Sequence, residues 1–425
     1  MMKKKQFPFF YGWIVFGVCF LMELTALGFC SSVKSLYLAP ITEDLQISRS
    51  LFSIGDSFRY VTTAVVNLFF GVLILKWKPR GMAAAGFIAL ALSCLLNSFA
   101  QNVFFFYAGG ILLGLGLAWC TTTLVGYIVG KWFTNSKGTV MGIILAANGL
   151  GAAAAAQILS PIIYDPAGVT NWRTSYLVCA ILMLVVGPIV VLLLRNAPED
   201  VGQLPAGTDK TAKVRRGSDW FGIPLREAKK KPYFYLALIC VFLTGLLLQS
   251  ATSISSAHMK DVGIDPDFIA AQLSIHSVIL AFAKIYTGFS FDKFGLRVTI
   301  LFSSICTVVF LLLLAFVNGP VMAVIYSVVS SFALPLETVM LPLIALDLFG
   351  NVDFSAAMGL IVSANTAGYA VGSPVVNVIY DLTGSYKSVL LVFAVLMAVV
   401  TVCMQFVISA AAKTRNDILA REIQQ

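Results

Sequence analysis

The chain has 425 residues, 59% hydrophobic and 12% charged, with 29 Lys and Arg against 20 Asp and Glu and a formal net charge of +9. Its mean hydropathy is +0.90. Soluble domains carry about twice that charged fraction, so a soluble enzyme is excluded and most of the chain is expected to face lipid or other apolar helices.

A spanning helix needs roughly 20 apolar residues. In chain order such stretches fall at 12–34, 50–75, 81–99, 103–130, 137–160 and 175–195. After a polar interval they resume at 233–256, 267–291, 298–317, 320–346, 354–379 and 386–411. The expected fold is therefore all-α and integral to the membrane: twelve transmembrane helices in two six-helix bundles. Lys3–Lys5 followed by an apolar run imitates a secretory leader, but the run is too long and has no clear small-residue cleavage site, so it reads as the first span.

Placing both termini inside assigns most of the basic residues to one face. Lys3–Lys5, Lys76, Lys78, Arg80, Lys131, Lys137, the linker and tail cations, Lys293 and Arg297 all fall there. Only Lys34, Arg49, Arg59, Arg173, Lys260, Lys284 and Lys387 fall elsewhere. The asymmetry follows the positive-inside rule and predicts a plasma-membrane protein with cytoplasmic termini. Basic charge so placed also argues against nucleic acid as a partner.

The interval 196–232 contains Pro198, Pro205, Pro224 and Pro232 and many Lys and Arg. It reads as a cytoplasmic linker between residues 1–195 and 233–412, with 413–425 as a cytoplasmic tail. The two halves repeat at an offset of 217 residues: KGTVMGIILAANGLG (137–151) matches FSAAMGLIVSANTAG (354–368), and Gly71, Lys76 and Arg80 pair with Gly288, Lys293 and Arg297. Tyr164-Asp165 echoes Tyr380-Asp381 with one residue of slip. Internal duplication of this kind predicts a substrate site near the bilayer midplane at the interface of the repeats. The small residues of 138–156 and of 359–373 let helix backbones approach closely. Asn148 and Asn365 are expected to bond between helices.

No nucleotide-binding glycine loop and no His, Cys and carboxylate cluster with metal spacing occurs, so neither a cofactor nor a metal is expected. Eight cysteines are scattered singly, as small packing residues rather than a disulfide framework.

The stretch GFSFDKFGLR (288–297) resembles the Gly-x-x-x-Asp-Lys/Arg-x-Gly-x-Arg loop of the major facilitator superfamily. There it acts as a conformational latch, which would here comprise Gly288, Asp292, Lys293, Gly295 and Arg297. The first-half copy, GVLILKWKPR (71–80), has Leu75 in place of the aspartate. FYGWIV (10–15), VKSLYLAPITEDL (33–45), KWFTNSKGTVMG (131–142), LIALDLFG (343–350) and IYDLTGSY (379–386) are together similar to the monocarboxylate transporter and oxalate–formate antiporter branch. The resemblance implies a secondary transporter of small organic anions such as lactate or pyruvate, coupled to a proton and working by alternating access. The alternatives are an anion exchanger of the oxalate–formate kind, a transporter of another small molecule, and a membrane sensor without flux. A monomer in the lipid bilayer is the expected functional unit.

Charged groups inside spans are costly and mark functional paths. At 1.5 Å per helical residue, Lys284 is about 12 Å, Glu337 about 15 Å and Glu23 about 18 Å from the inner helix end, near the middle of a core about 30 Å thick. The resemblance places at Lys284 an arginine that binds the substrate carboxylate; the lysine keeps the charge and loses the planar fork. The bland alternative is an ion pair with Glu337. Lys34 matches the family's first-span lysine, which serves proton and anion entry, with an interfacial lysine as its bland alternative. The family's proton-linked aspartate is replaced by Leu280, which leaves Glu337 and Glu23 as proton-coupling or ion-pair candidates. The second cation that oxalate transporters use in helix 11 has no counterpart, which favours a monocarboxylate. Arg59 and His276, and likewise Asn67 and Lys284, are related by the same offset and are candidate substrate-binding positions, although Arg59 can instead pair with Asp56 one turn earlier.

Overall fold

The computed structural model describes residues 9–47, 49–134, 136–163, 171–206 and 222–423. Lys3–Lys5, Tyr164, Asp165, Lys210, Lys213, Arg215 and Arg216 lie outside the described residues. The chain divides into two compact units, Met1–Ala212 and Lys213–Gln425. Among the described residues there is no strand, only isolated bridges.

In the first unit α1 (Gly12–Met22) runs directly into a π-helical stretch, Glu23–Ser32. It is followed by α2 (Ser35–Asp44), α3 (Arg49–Leu68), α4 (Phe70–Ser98), α5 (Val103–Cys120), α6 (Thr122–Trp132), α7 (Lys137–Ile163) and α8 (Trp172–Leu193). The second unit holds the short α9 (Leu225–Ala228), then α10 (Pro232–Asp261), α11 (Pro266–Ala315), α12 (Pro320–Ala333), a 3-10 turn at Leu334–Glu337, α13 (Met340–Phe349), α14 (Phe354–Thr383) and α15 (Lys387–Ile423).

Among the described residues ten helices are long and apolar enough to cross a membrane. Two backbone breaks and one charged helix reconcile that number with twelve spans. At Lys78 (φ 57°, ψ 163°) α4 breaks, which separates the end of the second span from the third. At Gly295 (φ 81°, ψ 176°) α11 breaks, which separates the eighth from the ninth. The second span begins as α3, whose Asp56 and Arg59 dilute its apolar character.

The breaks obey the repeat, since Lys78 and Gly295 are 217 residues apart. A second pair does the same. The fourth span is interrupted at Thr121 (φ −123°, ψ −146°) and the tenth at Thr338 (φ −129°, ψ −75°). Glu337 sits immediately before the second interruption.

Glycines set the helix crossings. A Cβ added to Gly28 would stand 2.6 Å from the Gly151 Cα, and one on Gly151 would strike the Leu24 carbonyl. In the second unit a Cβ on Gly368 would stand 2.7 Å from the Leu246 amide nitrogen, and one on Gly245 would strike the Asn365 carbonyl. Gly28 and Gly245, like Gly151 and Gly368, are equivalent under the repeat, so the first-to-fifth and seventh-to-eleventh span contacts are built alike. Asn365 bonds between helices as expected, its Nδ2 donating to the Val241 carbonyl at 3.2 Å.

The structure adds five features to the sequence reading. The first span is π-helical over its second half, and VKSLYLAPITEDL folds as a separate helix, α2. Both ends of the linker are bound to their own unit: Gln203 Nε2 donates to the Phe9 carbonyl at 2.7 Å, and the Leu225 amide to Asp353 at 2.7 Å. The expected tail continues α15 as helix, with Arg415 3.5 Å from Asp347. Finally, the cysteines are not all solitary: the Cys30 and Cys94 sulfurs are 3.8 Å apart as free thiols.

Candidate functional site

In the first unit a charged cluster forms where the π-helical stretch, the turn before α2 and α3 meet. Lys34 caps α2 and reaches Asp56 at 2.7 Å. Arg59, one turn further along α3, lies with its Nε 3.5 Å from the same Asp56 oxygen. The Arg59 Nη1 also donates to the Ser31 hydroxyl. The Lys34 ammonium stands 5.3 Å from the centre of the Phe52 ring, and the Arg59 guanidinium 4.2 Å from that of Tyr60. Two cations therefore share one carboxylate, which leaves the cluster with a net charge of +1.

Lys34 also lines a cleft with Tyr37, Ser93, Asn97 and Tyr176. Tyr37 stacks on Tyr176 with ring centres 4.3 Å apart, and its hydroxyl is 2.6 Å from that of Ser175. The cleft wall is thus an aromatic pair with polar edges. Deeper in the same unit Glu23 is fully buried and Asn67 is 1% exposed. The Asn67 amide nitrogen and oxygen have no hydrogen-bond partner among the described residues. A buried amide in that state calls for water or a ligand group.

In the second unit Lys284 sits within α11 and is 3% exposed. Glu337 is buried at the interruption of the tenth span, hydrogen-bonded by Tyr369 of α14. Its other oxygen, Oε1, has no partner among the described residues. His276 is held by its Nδ1, which lies 3.0 Å from the Ser327 carbonyl, 3.2 Å from the Ser330 hydroxyl and 3.0 Å from the Ser331 hydroxyl. Gln272, one turn earlier, bonds the Ser327 hydroxyl. These bonds fasten α11 to α12 through the imidazole and a row of serines.

The loop motif takes the shape its residues require. Gly288 is buried and Gly295 adopts the positive φ that a glycine tolerates at no steric cost. Asp292 and Lys293 are exposed, and Lys293 lies over the rings of Phe289 and Phe294. Arg297 Nε donates to Gln405 Oε1 at 3.3 Å, and Gln405 Nε2 returns a bond to the Arg297 carbonyl at 3.3 Å.

Sequence reasoning singled out both Lys34 and Arg59 but treated them separately. The acid that joins them, Asp56, entered only as a partner for Arg59. Lys34 is an ion-paired residue and not simply an interfacial lysine. A separation of 22 residues across a helix–turn–helix carries no periodic signal, and the one available clue was an acid and two bases in otherwise apolar surroundings. The threonine pair Thr121 and Thr338 was legible at the repeat offset and marks the interrupted spans.

These features define a multi-pass α-helical membrane protein built from two six-helix repeats. The sequence profile of the Major Facilitator Superfamily matches residues 16–259 and 237–422, and the chain belongs to that family. It is a transporter of this fold and not an enzyme. Among relatives it is 23% identical to human monocarboxylate transporter 2 over 89% of this chain and 81% of that protein, and 23% identical to human monocarboxylate transporter 12 over 97% and 84%. An uncharacterized MFS-type transporter of Bacillus subtilis (strain 168), YcxA, is 23% identical over 67% of this chain and 66% of its own length. The Escherichia coli fucose:proton symporter FucP shares the fold with a TM-score of 0.68 at 18% identity, over 93% of this chain and 98% of that one. The proton:xylose symporter XylE does so with a TM-score of 0.72 at 13% identity, over 93% and 95%.

Proposed function

We propose that the chain is a secondary active transporter of small organic anions, monocarboxylates such as lactate or pyruvate, carried together with a proton by alternating access. It acts as a monomer in the plasma membrane with both termini in the cytoplasm. The observation that carries the reading is Lys284, a cation 3% exposed within a span. A lysine at a helix centre costs about 2.5–3.5 kcal/mol on insertion scales, so its retention calls for a function that needs the charge. A monocarboxylate is a ligand that such a cation can hold, and the likeness to monocarboxylate transporters supports that class.

In this reading Lys284 attracts the carboxylate, and Asn67, Lys34, Arg59 and His276 are further candidate substrate-binding residues, each within its own unit. Glu337, whose Oε1 is without a partner among the described residues, tunes the charge around Lys284. Glu337 and Glu23 are the buried acids available for coupling. Gly288, Asp292, Lys293, Gly295 and Arg297 form the conformational latch. The test is direct binding of labelled lactate and pyruvate to detergent-purified protein. Binding lost in Lys284→Ala and kept in Lys284→Arg is expected, because the arginine preserves the charge. Undiminished transport by Lys284→Ala would sink the assignment.

Leu280, at the position where the family has its proton-linked acid, favours one second reading, anion exchange. Uptake that requires an anion on the opposite side and ignores the pH gradient would select it.

A further inference from the structure

We infer that Asp56 is the proton-coupling carboxylate of this transporter, with Lys34 and Arg59 as the cations that its protonation releases to the substrate. The inference rests on the anion-symport reading above and adds a residue to it.

Among the described residues Glu23, Asp56, Glu337 and Asp347 are acids within the spans or at their packed ends, and Asp347 is paired with Arg415 of α15 at 3.5 Å. Glu23 is fully buried and Glu337 is 7% exposed, whereas the Asp56 side chain is 34% exposed. A coupling acid has to exchange its proton, and of these acids Asp56 is the least enclosed by protein. Its protonation also has an immediate electrostatic consequence. Its carboxylate is 2.7 Å from Lys34 and 3.5 Å from Arg59. While ionised, it occupies both cations and competes with any incoming carboxylate.

Charge conservation gives the coupling rule. The empty cluster, with Lys34 and Arg59 positive and Asp56 negative, has charge +1. Taking a proton from water onto an Asp56 oxygen raises it to +2. Binding one monocarboxylate between the freed cations returns it to +1. The empty and fully loaded forms therefore carry the same charge, and either intermediate differs from them by one unit. Ionised Asp56 keeps the anion from the two cations, and the protonated cluster without an anion carries a further charge that is costly to move through low-dielectric surroundings, so the empty and the fully loaded forms reorient. A dicarboxylate would leave the loaded cluster neutral, and the match fails.

The groups around Asp56 fit this role. Lys34 faces it from the turn before α2, and Arg59 from α3 itself. Tyr176 of α8 and the Cys30 and Cys94 thiols line the cleft that Lys34 also lines. Helix α5, packed along α3, contributes Phe106 and Tyr107 and no charged side chain. Helix α2, also packed against α3, carries Glu43 and Asp44 at its C-terminal end, with Asp44 paired to Arg173 at 2.8 Å. The repeat-related positions in the second unit are Ala251, Leu273 and His276, so the device exists once per molecule, as a single coupled proton requires.

The experiment uses full-length protein in proteoliposomes with labelled lactate and pyruvate, in two assays: accumulation driven by an inward proton gradient, and exchange against the same acid inside at equal pH. Asp56→Asn mimics the protonated acid. Its gradient-driven accumulation is expected to fall at least about tenfold while exchange persists and loses its pH dependence, a separation that a merely structural role would not produce. Asp56→Glu is expected to retain coupling, and tests the carboxylate if the asparagine variant does not fold. Normal accumulation by Asp56→Asn, or uncoupling by Glu337→Gln while Asp56→Asn stays coupled, would overturn the inference. Loss of exchange together with accumulation in folded Asp56→Asn would also overturn it. If the parent protein takes up neither acid, the carboxylate reading fails first and this assignment falls with it.

Discussion

The two units share a backbone plan and differ in what they do with charge. Equivalent glycines make equivalent crossings, Gly28 on Gly151 and Gly245 on Gly368, and equivalent threonines interrupt the fourth and tenth spans. At the polar positions the correspondence ends. Lys34, Asp56 and Arg59 of the first unit align in the repeat with Ala251, Leu273 and His276 of the second, and Asn67 aligns with Lys284. The first unit gathers its charge into a partly exposed ion-paired cluster. The second places a single lysine in its interior and ties its histidine into a row of serines. Packing between close helices tolerates little change, because an added methyl meets backbone. A polar side chain lining a path is under no such steric constraint, so duplication can preserve the frame while function divides between the copies.

The comparison can be broken at its strongest shared feature. Gly151→Leu and Gly368→Leu are expected to have the largest effect, loss of folded protein in both cases, because the new side chain has only backbone to displace. Size-exclusion profiles of the two variants check it, and a mild phenotype in just one of them would show that the crossings are not equivalent. Next in size is the divided chemistry. Lys284→Ala is expected to reduce substrate binding by about a hundredfold, in line with removing a charged partner worth about 3 kcal/mol, and His276→Gln to have a much smaller effect on binding than on thermal stability.

A finer contrast lies at the two inner turns. Lys78 and Gly295 occupy one backbone conformation, with φ of 57° and 81°. That region is essentially reserved for glycine, and a side chain there costs of order 1–3 kcal/mol. Lys78→Gly is therefore expected to raise thermal stability by about 1 kcal/mol and Gly295→Lys to lower it by about 1–3 kcal/mol, both read from melting in detergent. The smallest effect belongs to the exposed pair of Arg173 and Asp44, 2.8 Å apart. Arg173→Gln is expected to cost less than about 1 kcal/mol, because solvent screens such pairs and Ser98 still bonds the backbone carbonyl of residue 173.

Most of the frame was legible in the sequence, because spanning helices leave long apolar stretches and their connectors are short and polar. The break at Gly295 was readable from its motif. Its partner at Lys78 was readable only through the repeat, since a lysine before Pro79 gives no local sign of a positive φ. The π-helical second half of the first span was not legible, since widening a helix changes no residue type. Nor was the extra helix α2, whose residues SLYLAPITED contain Pro40 and lie beside a turn. In the candidate site, buried charges announced themselves singly: Lys284, Glu337 and Glu23 each stand out against apolar neighbours. What joins groups together depends on tertiary contact. Asp56 between Lys34 and Arg59, Tyr369 on Glu337, and the serines around His276 are pairings between helices that no spacing rule connects.

The most direct test of the account is uptake of labelled lactate, pyruvate, formate and oxalate into proteoliposomes, with and without an inward proton gradient. The account predicts accumulation of a monocarboxylate that requires the gradient, with oxalate excluded. Failure with all four acids, in protein shown to be folded, would leave the transporter fold intact and contradict the carboxylate assignment.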